Sequence, residues 1–250
     1  MDGIPGLAAC WREAQRVVVL TGAGLSTASG IPDFRSPGGR WERYQPVPLP
    51  DFLARESARL EYWRYKGETW PIIRGANPNP AHRALTDLAH AGQIDLLVTQ
   101  NVDGLHERSG FPAERLVGIH GSDAQVVCMA CGRREPREAA QAAWEASPVV
   151  PTCACGGPLK PATISFGQNL VASDLARAMD AAERCDLFVA VGTSLVVGPI
   201  NEMLPVAAAS GARTAILTAS ETPFDAQADW LVGDALEEVL PRLRDAVQAT

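Results

Sequence analysis

The chain has 250 residues, 46% of them hydrophobic, which is enough to bury an ample core as one large domain or as one domain plus a small insertion. A formal net charge of −7 and an isoelectric point near 5.2 argue against broad affinity for nucleic acid or anionic membranes. Met1-Asp2-Gly3-Ile4-Pro5 lacks the basic start of a secretion signal, and no apolar run approaches the ~18 residues of a membrane span, so a cytoplasmic protein without nucleic-acid or membrane partners is expected.

In chain order, short apolar runs bounded by turn residues fall at 17–20, 94–99, 187–191 and 214–217, with weaker ones at 116–119 and 230–232. Helix-like segments separate them, the pattern of a parallel sheet buried on both faces. An alanine-rich patch over 138–146 reads as a helix. Ser173-Asp174 is expected to cap another helix, whose Leu175, Ala178, Met179 and Ala182 share one face; a further helix begins near Pro199 and stops at Gly211. The final helix starts near Ala235, with Leu236, Val239, Leu240 and Leu243 inward. In such sheets ligands bind beyond the carboxyl ends of the strands, where the notable motifs lie: Gly22-Ala23-Gly24, Gln100-Asn101-Val102-Asp103, His120, Gly192-Thr193-Ser194 and Thr218-Ala219-Ser220. A glycine-rich turn leaving a buried strand lets backbone N–H groups approach a pyrophosphate, although such turns also use glycine for backbone reasons alone.

Cys128-x-x-Cys131 and Cys153-x-Cys155 form a second signal. Four thiolates from two turns can close a tetrahedral zinc shell with no open position, which makes the metal structural. The alternatives are a disulfide, disfavoured in a reducing compartment, or a degenerate site that has lost its metal. Cys10 and Cys185 read as small buried apolar residues. Of the four histidines, His90 sits at a helix C-terminus, His82 follows Pro78-Asn79-Pro80 at a helix start and reads as structural, and His106 supports the loop after Asp103; His120 ends a strand at the sheet's carboxyl edge.

Thr21-Gly22-Ala23-Gly24-Leu25-Ser26, Gly30-Ile31-Pro32-Asp33-Phe34-Arg35-Ser36, Thr99-Gln100-Asn101-Val102-Asp103-Gly104-Leu105-His106, Ile119-His120-Gly121-Ser122, the cysteine pairs, Ile164-Ser165-Phe166-Gly167 and Gly192-Thr193-Ser194-Leu195-Val196-Val197 occur in the order found in sirtuins. The chain therefore resembles these NAD-dependent protein deacylases, in their bacterial form, over roughly residues 16 to 240. The resemblance implies an α/β fold: a Rossmann-like NAD-binding domain over 1–35, 76–122 and 164–250, a helical module with a cofactor loop over 36–75, and a small zinc-binding module over 123–163. It implies a reaction in which the acyl-lysine oxygen attacks C1′ of the nicotinamide ribose, nicotinamide leaves, and free lysine and O-acyl-ADP-ribose are formed.

The same resemblance gives His120 as general base and Asn101 as the residue orienting the ribose hydroxyls or a water. Asp103 would hold the nicotinamide carboxamide, Gln100 the ribose, and Asp33, Phe34 and Arg35 the nicotinamide pocket. Gly22, Ala23, Gly24, Gly192, Thr193 and Ser194 would meet phosphate or ribose, and Thr218, Ser220 and Ala235 complete the cofactor contacts. Phe166 and Gly167 belong to the substrate cleft. The partners implied are NAD, one zinc and acyl-lysine proteins. ADP-ribosyl transfer to a protein is the nearest rival and a non-catalytic NAD-sensing module another; retention of both Asn101 and His120 favours deacylation.

Several positions depart from the family pattern. Cys153 stands one place later than the first cysteine of the usual C-x-x-C-G-G, with Thr152 in its place. Thr218 replaces the usual asparagine, and Gln168 replaces the glutamate of Phe-Gly-Glu, which removes a negative charge expected beside the substrate peptide. Members that remove succinyl or malonyl groups use Tyr-x-x-Arg, and the matching positions here are expected to be Trp63 and Lys66, with Tyr62 and Arg64 adjacent. Acetyl-lysine is the expected substrate and succinyl-lysine a second one.

Overall fold

The computed structural model describes residues 3–34 and 39–249, with the side chain of Trp41 outside that description. The expectation for Arg35 therefore lies outside the described residues. Helix α1 (Ile4–Glu13) leads to β1 (Val17–Thr21), a 3₁₀ turn over Ala23–Ser29, α2 (Leu49–Ala54), α3 (Glu56–Gly75) and α4 (Pro80–His90). Then come β2 (Leu96–Thr99), α5 (Leu105–Arg108), β3 (Leu116–Gly118), β4 (Gly121–Cys128), β5 (Arg134–Pro136), α6 (Arg137–Ala146) and β6 (Leu159–Thr163). The chain finishes with α7 (Ala172–Arg184), β7 (Leu187–Val191), α8 (Met203–Ala209), β8 (Arg213–Leu217), β9 (Trp230–Val232) and α9 (Leu236–Gln248).

Six strands form one parallel sheet in the order β3-β2-β1-β7-β8-β9, the doubly wound dinucleotide order with a switch point between β1 and β7. The central strands β1, β2 and β7 are buried at every position because both faces are covered. Val17 and Val19 point to a layer containing Leu7, Trp11, Leu85, Leu88, Leu240 and Leu243, whereas Val18 and Leu20 point to Ala178, Ala182, Met203 and Leu204. This alternation along β1 fixes its register, since a one-residue slip would exchange the two layers.

The helical expectations hold for α6, α8 and α9, and Gly211 follows α8 in the left-handed conformation. The expected cap of α7 is corrected: the helix starts at Ala172 after Val171 without a side-chain cap, so Ser173 and Asp174 lie in its first turn. Cys185 is buried in the core, and Cys10 packs partly buried against it. No helix among the described residues is long and apolar enough to cross a membrane.

Between β3 and β7 the chain builds a second, antiparallel sheet, β5-β4-β6. Its far end carries Cys128, Cys131, Cys153 and Cys155, whose sulfurs all lie within 4.8 Å of one another. The Cys128–Cys155 and Cys131–Cys153 sulfur separations are 3.5 and 3.9 Å. These are far too long for disulfides and bracket the ~3.8 Å edge of a tetrahedron with Zn–S bonds of about 2.3 Å. Each knuckle turns on a left-handed glycine, Gly132 after Cys131 and Gly156 after Cys155, so the tighter Cys153-x-Cys155 bite still closes the shell. A Cβ on Gly157 would lie 2.7 Å from the Cys128 sulfur. The backbone N–H of Cys131 points at that same sulfur and lowers the Cys128 thiol, whereas Cys155, hydrogen-bonded to Cys128, is raised, so without a metal the two share a single thiolate. The donor set and spacing fit one structural zinc.

At the other end of the small sheet, Asp123 is fully buried and accepts from Lys66 Nζ at 2.9 Å and from Arg137 Nη1 at 2.5 Å. Burial alone would raise its carboxyl pKa, but the two cations hold it below the usual value. Its backbone N–H donates to Val102 O at 2.9 Å. One residue thereby ties β4 to α3, to α6 and to the loop after β2.

Two outcomes follow from this packing. The purified protein should carry about one zinc per chain by elemental analysis, and chelation or Cys128→Ala should lower the unfolding midpoint instead of removing a catalytic water. Asp123→Ala leaves Lys66 and Arg137 buried without their anion, which should cost about 3–5 kcal/mol in urea denaturation. By contrast, Asp51→Ala, which removes only an exposed pair with Arg55, should change stability by less than about 1 kcal/mol.

Candidate functional site

The loops that leave β1 and β7 meet at the switch point in direct backbone contact. Gly22 N donates to Val191 O and Gly24 N to Gly192 O, each at 2.9 Å. A Cβ on Gly22 would lie 2.7 Å from both Gly192 O and Thr193 Cβ. Gly192 has φ +61°, and a Cβ there would stand 2.4 Å from Leu25 N. Glycine is required on both sides for the loops to cross this closely. A cavity of about 1060 Å³ opens over the crossing and extends toward α3.

The expected cofactor residues Gly22, Ala23, Gly24, Asp33, Phe34, Gln100, Asn101, Asp103, Gly192, Thr193, Ser194, Thr218, Ser220 and Ala235 all line this cavity, as does His120. They arrive from four strand ends and from the start of α9. The polar loop after β2 is cross-braced: Gln100 Nε2 donates to Thr193 Oγ1 at 2.8 Å, joining the ends of β2 and β7. Asn101 Nδ2 donates to Gly22 O at 3.0 Å and to Ser26 Oγ at 3.2 Å, leaving its carbonyl oxygen as the acceptor available to a ligand. Ser26 Oγ donates onward to Asp103 Oδ2 at 2.8 Å, while Asp103 Oδ1 accepts from Leu105 N at 2.9 Å. Burial raises the Asp103 carboxyl above its ordinary pKa, and these two donors oppose the shift.

The histidines separate by environment. His82 is buried with Nδ1 3.0 Å from Asn79 Oδ1, and desolvation pushes its pKa down to about 4. Asn79 itself caps α4 and donates to Leu25 O at 2.8 Å, so this pair fixes the loop after β1 to the helix layer. His106 is buried with Nε2 3.1 Å from Thr21 Oγ1, its pKa well below the ordinary value through desolvation. His90 closes α4 near the surface with Nε2 3.0 Å from Gly110 O. Of the four, His120 is the one on the cavity wall. Its Nδ1 lies 3.1 Å from Gln100 O. A carbonyl can only accept, so Nδ1 carries the proton and the neutral ring keeps its lone pair on Nε2. Burial lowers the His120 pKa, partly offset by this hydrogen bond, which makes the neutral ring the prevailing form at neutral pH.

The far wall corrects the expected acyl contacts. Trp63 does not line the cavity: it is fully buried against the small sheet, donating from Nε1 to Leu159 O at 2.9 Å, with the tilted Trp144 ring 5.9 Å away. Helical geometry explains this, because Trp63, Gly67 and Trp70 share the face that packs on α6 whereas Tyr62, Lys66 and Ile73 turn toward the cavity. Arg64 is exposed on the opposite side. Lys66 does reach the wall, but its ammonium is held by Asp123. Phe166 and Gly167 line the cavity mouth as expected. Gln168 turns inward, its Oε1 accepting from Ser165 N at 3.1 Å and Lys160 Nζ at 3.5 Å, so the lost negative charge concerns a buried lysine as much as a peptide. Asp123, Ser26, Arg40 and Tyr65 were not singled out by sequence; Asp123 carried one faint signal, an acid three residues beyond His120 on a strand otherwise running into Val126-Val127.

A family model described as the Sir2 family matches residues 22–199. An NAD-dependent protein deacetylase of Rhodopseudomonas palustris is 40% identical over 240 residues, covering 96% of this chain and 95% of that protein. NAD-dependent protein deacetylase 2 of Streptomyces coelicolor is 39% identical over 232 residues, covering 91% of this chain and 95% of that one. Among solved structures, a Sir2–p53 peptide–NAD⁺ complex superposes with a TM-score of 0.88 at 32% identity, covering 98% of each chain. A Sir2 bound to acetylated peptide gives 0.87 at 31% identity, again over 98% of each chain. Matched over most of its length in sequence and in overall fold, the chain belongs to the Sir2 family.

Proposed function

We propose that the protein is an NAD-dependent protein-lysine deacylase, with His120 as the general base. The observation that carries this reading is the orientation of His120: Nδ1 is occupied by Gln100 O, and the basic Nε2 remains for a proton on a bound substrate in the cavity that Asn101 also lines. The deacetylase names of the relatives and the NAD⁺ and acetylated peptide in the neighbouring structures support it. So does the switch-point cavity, whose glycine crossing admits a dinucleotide's phosphates at the ends of β1 and β7.

The chain's own groups divide the work as follows. Gly22, Ala23, Gly24 and Gly192, Thr193, Ser194 receive phosphate and ribose, while Thr218, Ser220 and Ala235 receive the adenosine end. NAD supplies a ribose carbon from which nicotinamide departs as the acyl oxygen bonds to it. Asp103, braced by Ser26 and Leu105 N, holds the carboxamide, and Asp33 and Phe34 enclose that ring and exclude water from the reacting carbon. The Asn101 carbonyl would orient a ribose hydroxyl toward His120 Nε2, which would take its proton as that oxygen adds to the acyl carbon; the lysine nitrogen would then leave that carbon, with a water supplying the new carbonyl oxygen. Phe166 and Gly167 border the channel through which acyl-lysine enters.

His120→Ala should lower kcat/KM for an acetyl-lysine peptide by about 10²–10⁴-fold while leaving NAD binding measurable by calorimetry. Near-normal turnover in that variant would overturn the assignment of the base. Because the base is active only when deprotonated and its pKa is lowered, the acid limb of kcat/KM against pH should have its midpoint below the ordinary histidine value of 6.5. Activity should fall as pH drops through that midpoint, and the limb should vanish in His120→Ala.

A further inference from the structure

We infer that Lys160 is a positioning residue for the acyl-lysine cleft: its buried ammonium holds the Gln168 side chain and the end of β6, and through them sets the Ser165-Phe166-Gly167 turn that borders the substrate channel. This rests on the deacylase reading and adds to it a residue that does not itself line the cavity. Lys160 lies on β6 with no exposed surface. Its Nζ donates to Thr163 O at 2.5 Å, to Pro161 O at 3.4 Å and to Gln168 Oε1 at 3.5 Å. An ammonium has three donors and no acceptor, so these three oxygens complete its hydrogen bonding. All three are neutral, and among the described residues no carboxylate forms an ion pair with Lys160. Asp123 is committed to Lys66 and Arg137. Desolvation lowers the Lys160 pKa, and the Tyr62 phenol, whose ring centre lies 5.1 Å from Nζ, opposes that shift.

A cation buried without an anion is a poor stabiliser, and an apolar residue of similar volume would serve packing at least as well. What the ammonium does gain is a grip on Gln168. Gln168 Oε1 also accepts from Ser165 N at 3.1 Å, and Gln168 N donates to Ser165 O at 3.0 Å. These two bonds close Ser165-Phe166-Gly167-Gln168 into a turn, with Gly167 at φ +75° in the third place, where a positive φ calls for glycine. The outer side of the turn is fixed by Leu49 N donating to Phe166 O at 2.8 Å, and a Cβ on Gly167 would lie 3.1 Å from Pro50 Cδ. The turn is therefore clamped between the start of α2 on one side and Lys160 on the other.

Position separates this role from the others. Phe166 and Gly167 present the turn to the cavity mouth, whereas the glycine crossing and its Thr193–Gln100 brace stand at the ends of β1, β2 and β7. Loosening the inner clamp should therefore act on the peptide and not on NAD. The end of β6 has a second neighbour, because Ile164 N donates to His120 O at 2.8 Å. A displacement of the strand itself would reach the base and show in kcat, whereas a displacement of the turn alone would show in the peptide KM. The glutamine at 168 keeps the acceptor oxygen that Lys160 and Ser165 N use but carries no charge. A carboxylate in its place would meet the ammonium; without Lys160 it would be a charge withdrawn from water with no cation beside it.

The test measures deacetylation of an acetyl-lysine peptide by the full-length protein, varying peptide and NAD in turn at saturating levels of the other. The variants are Lys160→Met, Gln168→Leu, Gln168→Glu, and Lys160→Met combined with Gln168→Glu. Lys160→Met and Gln168→Leu should each raise the peptide KM about tenfold, the worth of one hydrogen bond to a charged group, with kcat and the KM for NAD within about twofold. Gln168→Glu should hold the peptide KM within about twofold while Lys160 is present, and raise it about tenfold further when added to Lys160→Met. If Lys160→Met does not fold, the contrast between Gln168→Leu and Gln168→Glu carries the test. An unchanged peptide KM in Lys160→Met and Gln168→Leu, with only a lowered unfolding midpoint, would make the lysine merely structural and overturn the inference. A fall in kcat or a rise in the KM for NAD in place of the peptide effect would also overturn it, by moving the consequence to His120 or to the cofactor. Failure of the unaltered protein to turn over the peptide would instead remove the deacylase reading, and this role with it.

Discussion

The crossing of two backbones at the switch point is the constraint on which the rest of the site depends. Val191 O and Gly192 O accept from Gly22 N and Gly24 N, and these bonds form only because neither loop carries a Cβ at the point of contact. A side chain at Gly22 or Gly192 would separate the ends of β1 and β7 and displace Thr193, the residue that anchors Gln100. Through Gln100 O the same displacement would reach His120. The general base is thus oriented by a chain of short contacts that begins at a glycine pair two strands away.

The second organising element is electrostatic. Asp123 is a fully buried carboxylate whose two oxygens meet cations from α3 and α6, and its N–H meets the carbonyl of Val102 within the loop that carries Asn101 and Asp103. Removing a partner from such a group leaves an uncompensated charge in a low-dielectric interior, so the arrangement penalises relative movement of the small sheet, α3 and the polar loop. The four-cysteine cluster closes the opposite end of that sheet. Its contribution to the site is indirect: it holds β4 and β6 in register, and β4 starts immediately after His120.

Burial also sorts the histidines. His82 and His106 are desolvated, with Asn79 and Thr21 as their ring partners, which keeps both neutral and makes them serve as fixed hydrogen-bonding struts under the loops after β1 and β2. His120 experiences the same desolvation at the cavity wall, and there neutrality leaves a base in its active form. One physical effect thus produces structural residues in the core and a reactive one at its edge.

Much of the fold was legible in the sequence because parallel strands buried on both faces must be continuous apolar runs, and β1, β7, β8 and β9 lie within a residue or so of where those runs placed them. The short antiparallel strands of the small module were not legible, since β5 is only three residues long and β4 mixes polar with apolar positions. The motif residues at the strand ends were legible as candidates, and so was the metal cluster, whose ligand spacing is a property of local turns. Sequence by itself determined the sheet, the strand-end polar groups and the thiol ligands, each set by local periodicity or spacing. Only tertiary structure decided which face of α3 meets the cavity, that Asp123 engages Lys66, and that Arg40 arrives beside Tyr65. These are contacts between segments 57 and 25 residues apart along the chain, whose pairing is fixed by packing and charge in three dimensions.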